Sequence, residues 1–184
     1  MISSEELAQL LARCTLHDRQ AFKRLYQATA AQLFGVVVRI VKDQESASEV
    51  LQESYIKIWN RAGDFRADKA KPMTWMSAIV RNQAIDFLRR AAHQPTATQT
   101  VEELHWLTDE AADPQEATSQ TQESQALHDC LKELEGMQRR AMLLAYFNGL
   151  THEELAHQLK VPLGTVKSWL RRGLLRLKKC LDEQ

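Results

Sequence analysis

The stretch LTHEELAHQLKVPLGTVKSWLRRGLLRLKK, residues 150–179, decides the reading of this chain. Thr151 and Glu154 have the spacing of a capping box, in which a hydroxyl and a carboxylate reciprocally satisfy the first free N–H groups of a helix. Leu155, Ala156 and Leu159 form the inward face of a short helix, and Val161-Pro162 breaks it before a longer one. Small Ala156 lets two helices cross closely, and Val166 fills the angle between them. That is the pattern of a helix-turn-helix.

On the second helix Leu163, Val166, Leu170, Leu174, Leu177 and Leu181 fall in one arc, the expected core stripe. Opposite lie Thr165, Ser168, Arg172 and Lys179, flanked by Arg171, Arg176 and Lys178. Residues 160–179 carry seven cations and no anion. A charged outer face is ordinarily only a solvated face. The single sign and the preceding turn point instead to DNA, with Thr165, Lys167, Ser168, Arg171, Arg172 and Arg176 as candidate readers. Guanidinium groups pair bidentately with guanine edges, while Lys and Ser hold phosphates. Trp169, at the edge of the arc, is expected to pack against the first helix of the motif.

Moving outward, every other segment also reads as helix or linker. Ser3 to Glu6 is a capping box, and apolar positions from Phe22 to Val41 mark a long buried helix after Asp18. Asp43 or Ser46 caps the next, whose core stripe is Ala47, Leu51, Tyr55 and Ile58 and whose other side shows Glu49, Gln52, Glu53 and Lys57. Residues 72–90 resume a helical pattern, and no stretch alternates like a strand. Between His93 and Asp113 the chain turns to Thr, Gln, Ala and acid, and Asp113-Pro114 starts another helix. The expected fold is all-α. Two small helical domains, 18–93 and 114–182, are joined by an acidic linker over 94–113.

The formal net charge is zero across 184 residues, yet its distribution is uneven. Residues 1–90 carry 14 Lys and Arg against 10 Asp and Glu, residues 91–131 none against 8, and residues 132–184 carry 10 against 6. Two basic blocks flanking an acidic middle point to two modules that face polyanions. The longest apolar run, residues 33–41, contains Arg39 and is far too short for a membrane span. No secretory pattern opens the chain, and the three cysteines show no close pairing, so a cytoplasmic, mostly reduced protein is expected. Cys130 and Cys180 are expected to be small, partly buried apolar residues in that reducing setting; the alternative is a disulfide between them, which needs their Cα atoms within about 7 Å, a distance that the sequence does not supply. Cys14-x-x-His17 and His128-x-Cys130 are too isolated to argue for a metal. No phosphate loop, H-E-x-x-H or nucleophile and base arrangement appears, so neither cofactor nor catalytic chemistry is expected.

The loop GDFRADKAKPMTWM, residues 63–76, separates this chain from an ordinary duplex-binding regulator. From Tyr55 to Arg90, five aromatics (Tyr55, Trp59, Phe65, Trp75, Phe87) interleave with Arg61, Arg66, Lys69, Lys71, Arg81, Arg89 and Arg90. Flat rings among cations suit single-stranded nucleic acid, where unpaired bases stack and the backbone follows the charge. Tyr55 and Phe87 have core spacing, Phe65 is the better candidate for exposure, and Trp75 fits either role.

The segments DQESASEVLQESYIKIW, MTWMSAIVRNQAIDFLRR and GLTHEELAHQLKVPLGTVKSWLRRGLLRLK, in this order, resemble regions two and four of a bacterial RNA polymerase sigma factor. The short form resembles the extracytoplasmic-function (ECF) subfamily. The resemblance implies docking on core RNA polymerase through Glu49, Gln52, Glu53 and Trp59, and opening of the downstream promoter element by Arg61, Phe65, Arg66, Lys69, Lys71 and Trp75. It implies base-edge contacts from Asn82 and Asp86, phosphate contacts from Arg81, Arg89 and Arg90, and upstream-element reading by the helix from Leu163. It further implies an acidic linker that threads the polymerase's cationic channels, and an anti-sigma factor as partner. Trp169 stands where many members have Arg, so base preferences do not carry over. A conventional helix-turn-helix regulator of duplex DNA is the rival reading. It leaves the aromatic-basic loop and the Glu-Gln helix without a use.

Overall fold

The computed structural model describes residues 2–92 and 122–183, so the linker over 94–113 and the helix start at Asp113-Pro114 lie outside the described residues. Those residues form eight α-helices and one 3-10 turn, without a strand among them. The chain divides into two compact units, 1–98 and 99–184.

In the first unit, α1 (Ser4–Cys14), α2 (Arg19–Val41), α3 (Gln44–Asn60), a 3-10 turn (Ala62–Asp64) and α4 (Pro72–Ala92) follow in order. Helix α2 is central, packed by α1, α3 and α4. Its row Leu25, Thr29, Leu33 and Val37, one residue every four, is closed to solvent, as are Leu11 of α1, Val50 and Ile58 of α3 and Met76 and Val80 of α4. Each large apolar side chain buried in this way contributes roughly 1.5–3 kcal/mol before chain entropy is counted. The one hydroxyl in the row, Thr29, donates to the Leu25 carbonyl at 2.7 Å and lies 2.7 Å from the Tyr55 hydroxyl. Tyr55 is 3% exposed, and burial pushes its pKa up to about 12.

The ends of these helices follow from their caps. Ser3 and Glu6 form the reciprocal box. Asp18 accepts the N–H groups of Gln20 and Ala21 and pairs with Arg13 at 2.6 Å. Asp43, rather than Ser46, caps α3, accepting from the Ser46 N–H at 2.7 Å. Helix α1 belongs to this core, burying Leu7, Leu10, Leu11 and Cys14. Burial, with Asp18 nearby, pushes the Cys14 thiol up to about 11, which leaves it un-ionised and inert at neutral pH.

The second unit holds α5 (Gln122–Lys132), α6 (Gly136–Phe147), α7 (His152–Leu159) and α8 (Leu163–Asp182), with α8 packed against the other three. Leu144, Leu155 and Val166 make its closed centre, ringed by Leu150, Ala156, Leu159, Val161 and Leu170. The capping box of Thr151 and Glu154 starts α7. Lys160, in the left-handed conformation (φ 53°), ends it and turns the chain toward α8.

Two expectations are corrected here. The apolar arc of α8 holds through Leu170 and then shifts: Leu174 is 61% exposed and Leu181 40%, while Gly173 is buried against α6. The stripe continues through Gly173 because the close crossing with α6 needs a residue with no side chain, which an apolarity pattern does not register. Cys130 and Cys180 are joined as a disulfide, with Cα atoms 5.8 Å apart, so they are not the reduced apolar pair expected. Helix α5 packs on α8, and this brings together two thiols that are separated by 50 positions in the sequence.

Candidate nucleic-acid interface

In the second unit the start of α8 is fixed by Val166 in the closed centre, and this orients the rest of the turn. Lys167, Arg171, Arg172 and Arg176 are exposed, and Thr165 and Ser168 are half-buried beside them. Arg172 donates to the Ser168 carbonyl at 3.4 Å, laying its guanidinium back along the helix. No acidic side chain occurs between Lys160 and Lys179, so the face is cationic throughout. Trp169 is half-buried, and its main-chain carbonyl accepts from Gln138 of α6 at 2.9 Å. Thus all six candidate readers share one helix, and the packing of α8 on α6 and α7 sets its orientation within the unit.

In the first unit the basic loop is braced by its own hydrogen bonds. Arg61 pairs with Asp64 at 2.9 Å, and Arg66 donates to the carbonyls of Gly63 at 2.7 Å and Phe65 at 3.1 Å. Phe65 and Trp75 are both half-buried and meet edge to face, with ring centroids 5.7 Å apart. Phe65 is therefore not a free ring on a bare loop. It forms one wall of a two-ring pair where the loop joins α4. Lys69 and Lys71 are exposed beside it.

On α4, Asn82 and Asp86 are exposed one turn apart, with Arg89 and Arg90 exposed beyond them and Arg81 half-buried. Arg81 donates to the Asn82 side-chain oxygen at 3.2 Å. Phe87 is half-buried rather than a closed core residue.

On α3, Glu49 and Gln52 are exposed and Glu53 and Trp59 half-buried. Trp59 stacks edge to face on Phe22 at 4.9 Å and on His17 at 5.8 Å. Residue-by-residue reading missed two things on this helix. Ile56, 61% exposed, sits between Gln52 and Trp59, and Glu53 is held from α4 by Gln83, which is only 4% exposed. A signal for Gln83 existed: it falls at helical spacing within the apolar row of Met76, Ile79 and Val80, where an amide needs partners.

Among the described residues no three His, Cys, Asp or Glu gather as a metal set, and no helix is long and apolar enough to cross a membrane.

A two-unit helical chain with a helix-turn-helix and its cationic helix in one unit and an aromatic-basic face in the other defines the class, and comparison with known proteins names the family. Residues 25–94 match the family model for Sigma-70 region 2, and residues 124–177 match Sigma-70, region 4. The ECF RNA polymerase sigma factor SigK of Mycobacterium tuberculosis H37Rv is 32% identical over 181 residues, covering 97% of this chain and 95% of that protein. SigK of Mycobacterium ulcerans is equally similar, at 32% over 181 residues with the same coverage. Among solved structures, Rhodobacter sphaeroides SigE in complex with the anti-sigma ChrR is 27% identical, with a TM-score of 0.47 over 98% of this chain and 99% of that one. The chain belongs to the ECF RNA polymerase sigma factors, and it acts as an alternative sigma factor in promoter-directed transcription initiation.

Proposed function

We propose a division of labour among named surfaces. Core RNA polymerase docks on α3 through Glu49, Gln52, Glu53 and Trp59. Helix α8 reads the upstream promoter element through Thr165, Lys167, Ser168, Arg171, Arg172 and Arg176. Arg61, Phe65, Arg66, Lys69, Lys71 and Trp75 support opening of the downstream element, and Asn82 and Asp86 address an extruded base while Arg81, Arg89 and Arg90 hold phosphates. The protein works in the cytoplasm, where polymerase and promoters are, takes no cofactor and performs no catalytic step of its own. An anti-sigma factor is its regulatory partner. The acidic linker passes through the polymerase's cationic channels.

The observation that carries this reading is on α4. Asn82 and Asp86 stand exposed one turn apart, with exposed cations on the same helix and the Phe65 and Trp75 pair at its start. Stacking rings, base-edge groups and phosphate-seeking cations together are what a melted strand requires. A regulator of duplex DNA alone has no use for them. Runoff transcription with purified core polymerase tests the proposal: the protein should confer initiation on a specific set of promoters and co-migrate with core enzyme. Duplex binding without co-migration would instead establish the conventional regulator.

A further inference from the structure

Gln83 is one of four polar side chains buried among the described residues, and it lies between α3 and α4. Its side-chain oxygen accepts a hydrogen bond from Lys57 Nζ, and its Nε2 donates to Glu53 Oε2. Arg90 approaches the same oxygen, 3.8 Å away. A line of four side chains, Lys57, Gln83, Glu53 and Arg90, therefore crosses the seam from α3 to α4.

An amide is the neutral side chain that satisfies a cation and a carboxylate at once, its carbonyl accepting from one and its NH2 donating to the other. An apolar residue at this position would leave both charged neighbours without that partner, and a carboxylate would repel Glu53. Arg90 contributes less to holding Glu53, because Arg90 is largely exposed, Glu53 is only half-buried and the separation is long. The buried amide bond is what fixes the carboxylate. With Oε2 committed inward, Oε1 has no hydrogen-bond partner among the described residues and is left for a ligand.

We infer that Gln83 is a positioning residue for polymerase docking: it turns the second carboxylate oxygen of Glu53 outward, toward a cationic group on core RNA polymerase. The inference rests on the proposed docking role of Glu53. It adds a residue that itself touches neither polymerase nor DNA.

The test is a double-mutant cycle on affinity for core polymerase, measured by fluorescence titration of the full chain, with helix content and thermal midpoint recorded for each variant. Gln83→Met should weaken binding about three- to tenfold, the order of the net contribution of one ordinary hydrogen bond. In a Glu53→Ala background the same substitution should have no further effect. A loss of equal size in both backgrounds, or none with Glu53 present, would overturn the inference while leaving Glu53 as a docking residue. An unchanged affinity for Glu53→Ala alone would remove the docking assignment, and the inference with it. Should Gln83→Met fail to fold, Gln83→Glu is judged by the same cycle, because it keeps a partner for Lys57 and repels only Glu53.

Discussion

The Gln138 amide donates to the main-chain carbonyl of Trp169 at 2.9 Å, one turn before Gly173 on α8. Helices α6 and α8 cross so closely there that a Cβ at Gly173 would overlap the Met142 sulfur and stand 3.4 Å from Gln138 Cγ. Alanine at position 173 gains about 1 kcal/mol of helix propensity. It loses about 1–3 kcal/mol to overpacking, so Gly173→Ala should be net destabilising by about 1 kcal/mol. Gly173→Val should be worse, because the flexible Met142 tip has less room to retreat. Urea unfolding of both variants checks this. A more stable alanine variant would show that Met142 moves aside freely.

The buried Tyr55 hydroxyl gives a pH signature. Its pKa, raised by burial from 10 to about 12, means that the folded state favours the neutral phenol. This contribution is fully present below pH 10 and is lost as pH rises from about 10 to about 12. In a tyrosinate absorbance titration Tyr55 should give a late step, at about pH 12. Since Thr29 already donates to Leu25, Tyr55 supplies the proton between the two hydroxyls. Tyr55→Phe should therefore cost about 0.5–1.5 kcal/mol at neutral pH and remove the late absorbance step.

Arg171→Ala or Arg172→Ala should weaken upstream-element recognition by about 1–3 kcal/mol if the guanidinium pairs bidentately with a base. Core polymerase binding should be unchanged. Binding to scrambled upstream sequences separates the two kinds of contact, since a residue that touches only phosphate loses equally on all of them.

Phe65→Ala should reduce initiation more on a duplex promoter than on one with a pre-melted bubble, because the ring is placed against Trp75 at the mouth of the proposed strand-holding face. Equal losses on the two templates would limit Phe65 to packing. Trp75→Phe, which keeps a ring at the contact, should be milder than Phe65→Ala in the same assay.

Reduction of the Cys130–Cys180 bridge should lower the stability of the second unit by about 2–4 kcal/mol, since it closes a loop with a sequence separation of 50. The first unit, whose buried Cys14 is unpaired, should be indifferent to reductant. Differential alkylation with mass spectrometry reads the bridge directly as a shared peptide that disappears on reduction. Unfolding curves that coincide with and without reductant would show that the bridge adds no stability.

Local chemistry was the most legible part of the chain. The boxes at Ser3 and Thr151 are set by residues three apart, and the exposed cationic face of α8 by charge of one sign, so neither needs knowledge of distant contacts. The apolar stripes of α2 and α3 were legible because their period persists over several turns. What escaped depended on a second helix. Gly173 belongs to the core only because α6 arrives there, and Leu174 is exposed for the same reason. Gln83 acquires meaning from Lys57 and Glu53, thirty or fewer residues earlier and on another helix. Cys130 and Cys180 needed the path of α5 along α8 to be known. Ser46 had the spacing of a cap, but Asp43, three residues earlier, reached the free N–H first.

Helix α8 is moored at both ends, by Val166 in the closed centre and by the sulfur link to α5, with the Gly173 crossing between. In the proposed recognition role, a helix held in this way is expected to keep its own shape, so that the double helix does the conforming. Promoter choice would then depend on how readily a sequence bends or narrows, as well as on the bases that the arginines touch. Spacer positions that meet no side chain would acquire a preference of their own, set by the stiffness of their base steps.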